Sequence, residues 1–151
     1  TKTDSHLVLP SLQKNLESLE RAEFIPFRRA IRAGIPMLMT AHVVYESLDK
    51  KNPATHSSII LQDLLRKTMK FQGVVISDDL QMKAISKKYS LVESSLRALE
   101  AGVDLLMICR NGEEREEILS KILKAVLAHR DLKRRVEESL RRVAALKKRF
   151  I

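Results

Sequence analysis

Apolar and polar positions along this chain fall into a unit that recurs three times: an amphipathic stretch, a glycine, a short apolar run, then polar residues. In the first, residues 27–33 read as a helix. Pro26 suits its first turn, where a missing N–H costs nothing, and Gly34 suits its C-terminal cap. The strand Met37-Leu38-Met39-Thr40-Ala41-His42 follows. In the second, a helix over residues 57–69 turns Ile60, Leu64 and Leu65 inward, and Gly73 leads into the strand Val74-Val75-Ile76-Ser77 and then Asp78-Asp79. In the third, Val92, Leu96 and Leu99 share a helical face, and Gly102 precedes Val103-Asp104-Leu105-Leu106-Met107-Ile108, ending at Cys109-Arg110-Asn111. Short strands that are apolar on both faces belong to parallel sheets, and alternation with helices makes them βαβ units. Two helices close the chain, over residues 113–128 (Ile118, Ile122, Ala125) and 132–148 (Val136, Leu140, Val143, Leu146).

Three such strands make too small a sheet to stand open, because two long apolar edges would face other chains. A complete (β/α)₈ barrel needs about 250 residues and eight strands, and the chain has 151. The expected fold is therefore α/β: a single domain over residues 1–151, the C-terminal portion of a (β/α)₈ TIM-type barrel with about three parallel strands, surrounding helices and two C-terminal helices. Polar residues at the C-terminal strand ends suit a barrel, which keeps its chemistry there. A partial open sheet, which places ligands similarly, is the alternative.

Composition narrows the class. Hydrophobic residues make up 44% and charged residues 31%, the balance of a folded domain, not a disordered one. No apolar run approaches the roughly 20 residues that span a bilayer, so no membrane association is expected. The start, Thr1-Lys2-Thr3-Asp4, has neither an initiator Met nor an apolar signal core. The expectation is a cytoplasmic protein whose sequence begins part-way through a longer one. Cys109, the single cysteine, has no internal disulfide partner and reads as a small buried hydrophobe.

The net charge of +9 raises nucleic acid or an anionic lipid as partners. Residues 131–151 carry eight Lys or Arg against Asp131, Glu137 and Glu138. Because apolar residues recur among them at helical spacing, the basic residues read as the wet side of the last helix. Aromatic content of 4% offers little for base stacking. No nucleic-acid partner is expected, a basic binding module remaining the alternative.

Three features can carry chemistry. Asp78 and Asp79 end a strand, where an aspartate can cap the next helix or project into a barrel mouth. Asp4-Ser5-His6 places a carboxylate two residues from an imidazole; an Asp so placed can fix the tautomer and leave the other nitrogen free to move a proton. His42 ends the first strand, as a satisfied core histidine or a ligand contact. His56 and His129 look incidental. The histidines and the cysteine lack metal-ligand spacing, and there is no nucleotide-binding glycine loop. No metal and no cofactor are expected.

Together these segments resemble the bacterial β-N-acetylhexosaminidases of glycoside hydrolase family 3. Asp4-Ser5-His6 with Leu9-Pro10 is similar to their D-S-H…L-P segment, and Pro26-Phe27 with Met39-Thr40-Ala41-His42-Val43 to P-F…M-x-A-H-V. Pro53-Ala54-Thr55-x-Ser57 with Leu65-Arg66 matches P-A-T-x-S…L-R. Residues Gly73 through Met82 match the strand and loop that carry the nucleophile, and Ala101-Gly102-Val103-Asp104 the last barrel strand. The series keeps the family's order from Thr1 to about Asn111.

The resemblance implies a retaining exo-β-N-acetylglucosaminidase acting on GlcNAc-containing muropeptides or chitooligosaccharides during peptidoglycan recycling. It makes Asp78 the nucleophile, His6 the acid/base, Asp4 the group that orients His6, and Met82 and His42 substrate-binding residues, with Asp79 structural. The family's K-H-F-P-G-H-G segment and its earlier strands have no counterpart in these 151 residues, so the isolated chain is expected to be weakly active or inactive. Alternatives are a non-catalytic half-barrel that self-associates through its exposed strand edges, and transfer of the glycosyl group to phosphate instead of water.

Overall fold

The computed structural model describes residues 9–109 and 115–150, with side chains from Glu116 onward in the second stretch. Strand β1 (Ser11–Leu12) opens it, followed by α1 (Leu16–Ser18), a π-helical segment (Leu19–Glu23) and α2 (Phe24–Arg32) in one run. Helix α2 begins three residues before the predicted start, with Pro26 in its first turn. The ladder changes register just ahead of that proline: the Phe24 N–H reaches back to the carbonyl of Leu19. A π-turn accommodates an interruption of this kind. Gly34 ends the helix at φ +76°, and Ile35 N–H bonds to Ala30 O at 3.2 Å, the left-handed cap expected from its position.

Strands β2 (Met37–Met39), β4 (Val74–Asp79) and β5 (Leu105–Met107) form a parallel sheet in the order β2-β4-β5. Strand β3 (Val44–Tyr45) pairs separately, in parallel, with β1. Each has two residues, too few for any periodicity, and neither was predicted. A 3₁₀ turn (Ala54–His56) and a π-helix (Ile59–Thr68) connect β2 to β4 across β3; α3 (Lys83–Ser86) and α4 (Leu91–Ala101) connect β4 to β5. Helices α5 (Arg115–Ala128) and α6 (Arg130–Phe150) end the chain. Ser90 caps α4, accepting the Glu93 N–H at 3.2 Å.

One face of the sheet meets the helices. Val75, Leu61, Phe71, Ala98, Ala101 and Val103 form the buried cluster, with Leu38, Ile60, Leu65 and Leu106 packed against it. In the π-helix the predicted Ile60 and Leu65 pack against this cluster, but the buried positions are Leu61 and Arg66, which the 3.6-residue period did not single out. Bonds of i→i+5 type widen each turn and rotate the inward face. The opposite face is less covered, and Met39 is 55% exposed. The outer edges of β2 and β5 have no strand partner among the described residues. Gly73 is required where β4 starts: a Cβ there would lie 2.5 Å from Pro36 O.

Helix α6 crosses the N-terminal ends of the strands. Leu132, Val136, Ser139, Val143 and Leu146 form its covered stripe, whereas Leu140 is 62% exposed. This corrects the predicted stripe, since Leu140 lies one residue and about 100° beyond Ser139. The wet-side reading of the basic residues also needs correction. Arg135 and Arg142 turn inward to Asp104, at 2.9 and 3.1 Å, and Arg149 approaches Gly34 O at 3.5 Å. Arginines seven residues apart repeat every two turns, so they share a face. Asp104 also accepts from Arg66 at 2.6 Å, Ser139 Oγ at 2.8 Å and Val75 N–H at 2.9 Å. Burial alone would raise the Asp104 pKa. The Val75 amide, Arg135, Ser139 and Arg66 more than offset this and hold it below the usual carboxylate range. Burial likewise draws the Arg66 guanidinium down to about 10, with Asp104 opposing.

Candidate active site

At the other end of the sheet, β4 does not stop at Ser77; it carries Asp78 and Asp79 as its last two residues. Ile76 pairs with Leu105 and Asp79 with Met107, so β4 spends one residue more than β5 over that interval. Ser77 Oγ fills the gap in the ladder by accepting the Met107 N–H at 2.8 Å. Bulges of this kind re-aim side chains beside sites. Ile76 and Asp79 oppose Leu105 and Met107, two residues of one face, so simple alternation along β4 is broken at Ser77 and Asp78.

Neither aspartate caps α3, whose N-cap is Met82. Asp79 makes a local turn instead: its Oδ1 accepts the Gln81 N–H at 3.0 Å and the Cys109 N–H at 3.3 Å. This ties the loop after β4 to the end of β5. Asp78 is half-buried, and its Oδ1 accepts the Asp79 N–H at 2.8 Å. Met82, partly exposed, lies in the same loop, with its N–H on the Asp79 carbonyl at 3.0 Å. Cys109 is exposed, not buried as expected, because β5 ends two residues earlier.

His42 is 1% exposed. Its Nδ1 lies 2.9 Å from Thr55 Oγ1 and its Nε2 3.0 Å from the Asp79 carbonyl. With both nitrogens engaged by protein, the ring matches a satisfied core histidine. Burial lowers its pKa, opposed by the Asp79 carbonyl and by the nearby Asp78 and Asp79 carboxylates. Thr55 itself is fully buried and also lies 2.9 Å from Thr40 Oγ1. The loop that delivers Thr55 is held by Asp49, which accepts from the Lys51 and Asn52 amides at 3.0 and 3.1 Å and from Ser57 Oγ at 2.8 Å. Thr55 is the residue that sequence reasoning missed. It stood within the P-A-T-x-S match, but no local signal links it to a histidine 13 positions earlier. His56, in contrast to its incidental reading, is buried against Ser94 Oγ at 3.0 Å. Asp4 and His6 lie outside the described residues.

A half-buried carboxylate at the C-terminal end of the central parallel strand, with a buried imidazole close by, is a place where a barrel enzyme keeps a nucleophile or base. The Glycosyl hydrolase family 3 N terminal domain matches residues 1–146. The chain belongs to glycosyl hydrolase family 3. It is 38% identical over 119 residues to a Beta-hexosaminidase of Thiobacillus denitrificans, 79% of this chain and 33% of the relative. To a Beta-hexosaminidase of Neisseria gonorrhoeae it is 40% identical over 115 residues, 76% of this chain and 32% of the relative. The glycoside hydrolase family 3 beta-N-acetylglucosaminidase of Paenibacillus sp. superposes with a TM-score of 0.90 at 39% identity, over 97% of this chain and 28% of that one. The beta-N-acetylglucosaminidase of Thermotoga maritima gives 0.82 at 30% identity, over 95% and 31%. This family 3 chain thus spans about a third of the length of the curated relatives it matches. The expected class, a portion of a (β/α)₈ barrel, stands. Among the described residues, no helix is long and apolar enough to cross a membrane.

Proposed function

We propose that this chain supplies the nucleophile-bearing part of a retaining exo-β-N-acetylglucosaminidase, a single partial catalytic barrel that needs no cofactor. The observation that carries the reading is Asp78: a half-buried carboxylate at the end of β4, in the loop that matches the family's nucleophile segment. An Asp78 carboxylate oxygen attacks the anomeric carbon as the bond to the leaving oxygen breaks. The His6 imidazolium, oriented by Asp4, gives that oxygen its proton. His6 then takes a proton from water, which displaces Asp78 from the glycosyl-enzyme with net retention. Met82, in the same loop, contacts the sugar; His42 acts on the site through Asp79. The substrate class is terminal GlcNAc on muropeptides or chitooligosaccharides, as in cytoplasmic peptidoglycan recycling, and the open edges of β2 and β5 offer a route to self-association.

Alone, the chain is expected to hydrolyse a chromogenic GlcNAc glycoside slowly or not at all, because groups that position the sugar supply much of the rate. In a chimera where it replaces the matching segment of the Thiobacillus denitrificans relative, turnover is expected. Replacing His6 by Ala should slow release of the intermediate, leaving one N-acetylhexosaminyl group on the peptide that contains Asp78. A label on another peptide, or full turnover by Asp78→Asn, would overturn the reading.

A further inference from the structure

The groups behind Asp78 form a hydrogen-bond chain whose direction is fixed. The Asp79 carbonyl can only accept, so His42 Nε2 carries a proton and donates to it. Burial keeps the ring neutral, which leaves Nδ1 as a bare acceptor. The Thr55 hydroxyl 2.9 Å away then donates to Nδ1, the Ala41 carbonyl at 3.3 Å being the more distant acceptor for the same proton, and Thr55 Oγ1 in turn accepts from Thr40 Oγ1 at 2.9 Å. We propose that His42 is a positioning residue for Asp78: Thr55 fixes the ring, and the neutral ring's Nε2–H holds the Asp79 carbonyl. This role rests on the reading of Asp78 as nucleophile.

The held peptide is the one that matters to the site. The Asp79 carbonyl also accepts the Met82 N–H at 3.0 Å. The side chain of Asp79 ties down Gln81 and Cys109, and its amide bonds to the Asp78 carboxylate at 2.8 Å. Fixing Asp79 therefore fixes the backbone and one oxygen of its neighbour. The charge state matters as well. Attack on an anomeric carbon builds positive charge on the sugar. A cationic His42, close enough to interact with both carboxylates, would compete for Asp78 with that charge; a neutral donor orients the loop without competing. The titratable groups that act on the ring are Asp78 and Asp79 at the end of β4 and His56 in the 3₁₀ turn.

The test has two arms. Nitrogen NMR of the whole chain should show His42 as the neutral Nε2–H tautomer at pH 7.5, with Thr55→Val retaining a dispersed spectrum. Kinetics use the chimera described above. There, Thr55→Val and His42→Phe should lower kcat at least about tenfold with KM changed less than about threefold, the scale expected for a misplaced reacting group. Thr55→Ser and His42→Gln, which keep the hydroxyl and an amide donor, should recover most of the loss. A His42 that is cationic at pH 7.5, or kcat within twofold of the parent in both Thr55→Val and His42→Phe, overturns the proposal. Full turnover by Asp78→Asn overturns the nucleophile reading instead, whatever the spectra show.

Discussion

Asp104 and Asp78 sit at opposite ends of one small sheet and are treated in opposite ways. Asp104, just before β5, has no exposed side-chain surface and is surrounded by Arg66, Arg135, Arg142, Ser139 and the Val75 amide. Asp78, at the end of β4, is half-buried and accepts the amide of the next residue. The first carboxylate is saturated and binds three elements of the fold together: the π-helix through Arg66, β4 through Val75 and α6 through its arginines. The second keeps oxygen lone pairs for something outside the fold. In barrel enzymes, the N-terminal strand ends serve stability and the C-terminal ends chemistry, and these two side chains show the division at atomic scale.

The sharpest way to test this division is to remove each carboxylate in turn. Asp78→Asn should lower kcat/KM of the chimera by at least about 10³-fold, about 4 kcal/mol of barrier, while its thermal midpoint stays unchanged. Asp104→Ala should do the reverse, lowering the unfolding free energy of the chain in urea by about 3–5 kcal/mol, because the buried Arg66 loses its counter-charge and the partly covered Arg135 and Arg142 lose their nearest one. Equal destabilisation by the two substitutions would erase the contrast.

Acid should separate the ends next. The pKa of Asp104 is depressed in the fold, so its contribution is complete above the unfolded value of about 4 and is lost as pH falls toward the folded one. His56 has its pKa lowered to about 4, chiefly by burial. The unfolded chain therefore binds the extra proton first, and stability falls as pH drops from about 6.5 to about 4. Urea midpoints measured against pH should show both phases. His56→Gln should flatten the upper one, and Asp104→Asn the lower.

The smallest effect should come at the far end of the arginine row. Arg149→Ala should change stability by less than about 0.5 kcal/mol, as exposed positions do. Arg142→Ala, which removes a partner of buried Asp104, should cost clearly more in the same urea titration.

Much of this was legible in the chain. The three strands, their parallel pairing and the two closing helices followed from apolar runs, helical periodicity and the glycines at 34, 73 and 102. Asp78 was legible as a site residue because its loop carries a contiguous motif. The bulge that carries β4 on through Asp78 and Asp79 was not, since it depends on the register against β5. The inward turn of Arg135 and Arg142 was hidden because a basic residue beside an apolar stripe reads as solvated until a buried carboxylate is placed beneath it.

By itself, the sequence determined the order and type of the main elements, since periodicity and capping act over a few residues and need no partner. Tertiary structure decided which polar groups meet. Thr55 reaches His42 across 13 positions, His42 reaches Asp79 across 37, and Arg66 reaches Asp104 across 38. A buried polar group takes whatever partner the packed chain brings within about 3 Å, and that partner has no fixed offset along the sequence.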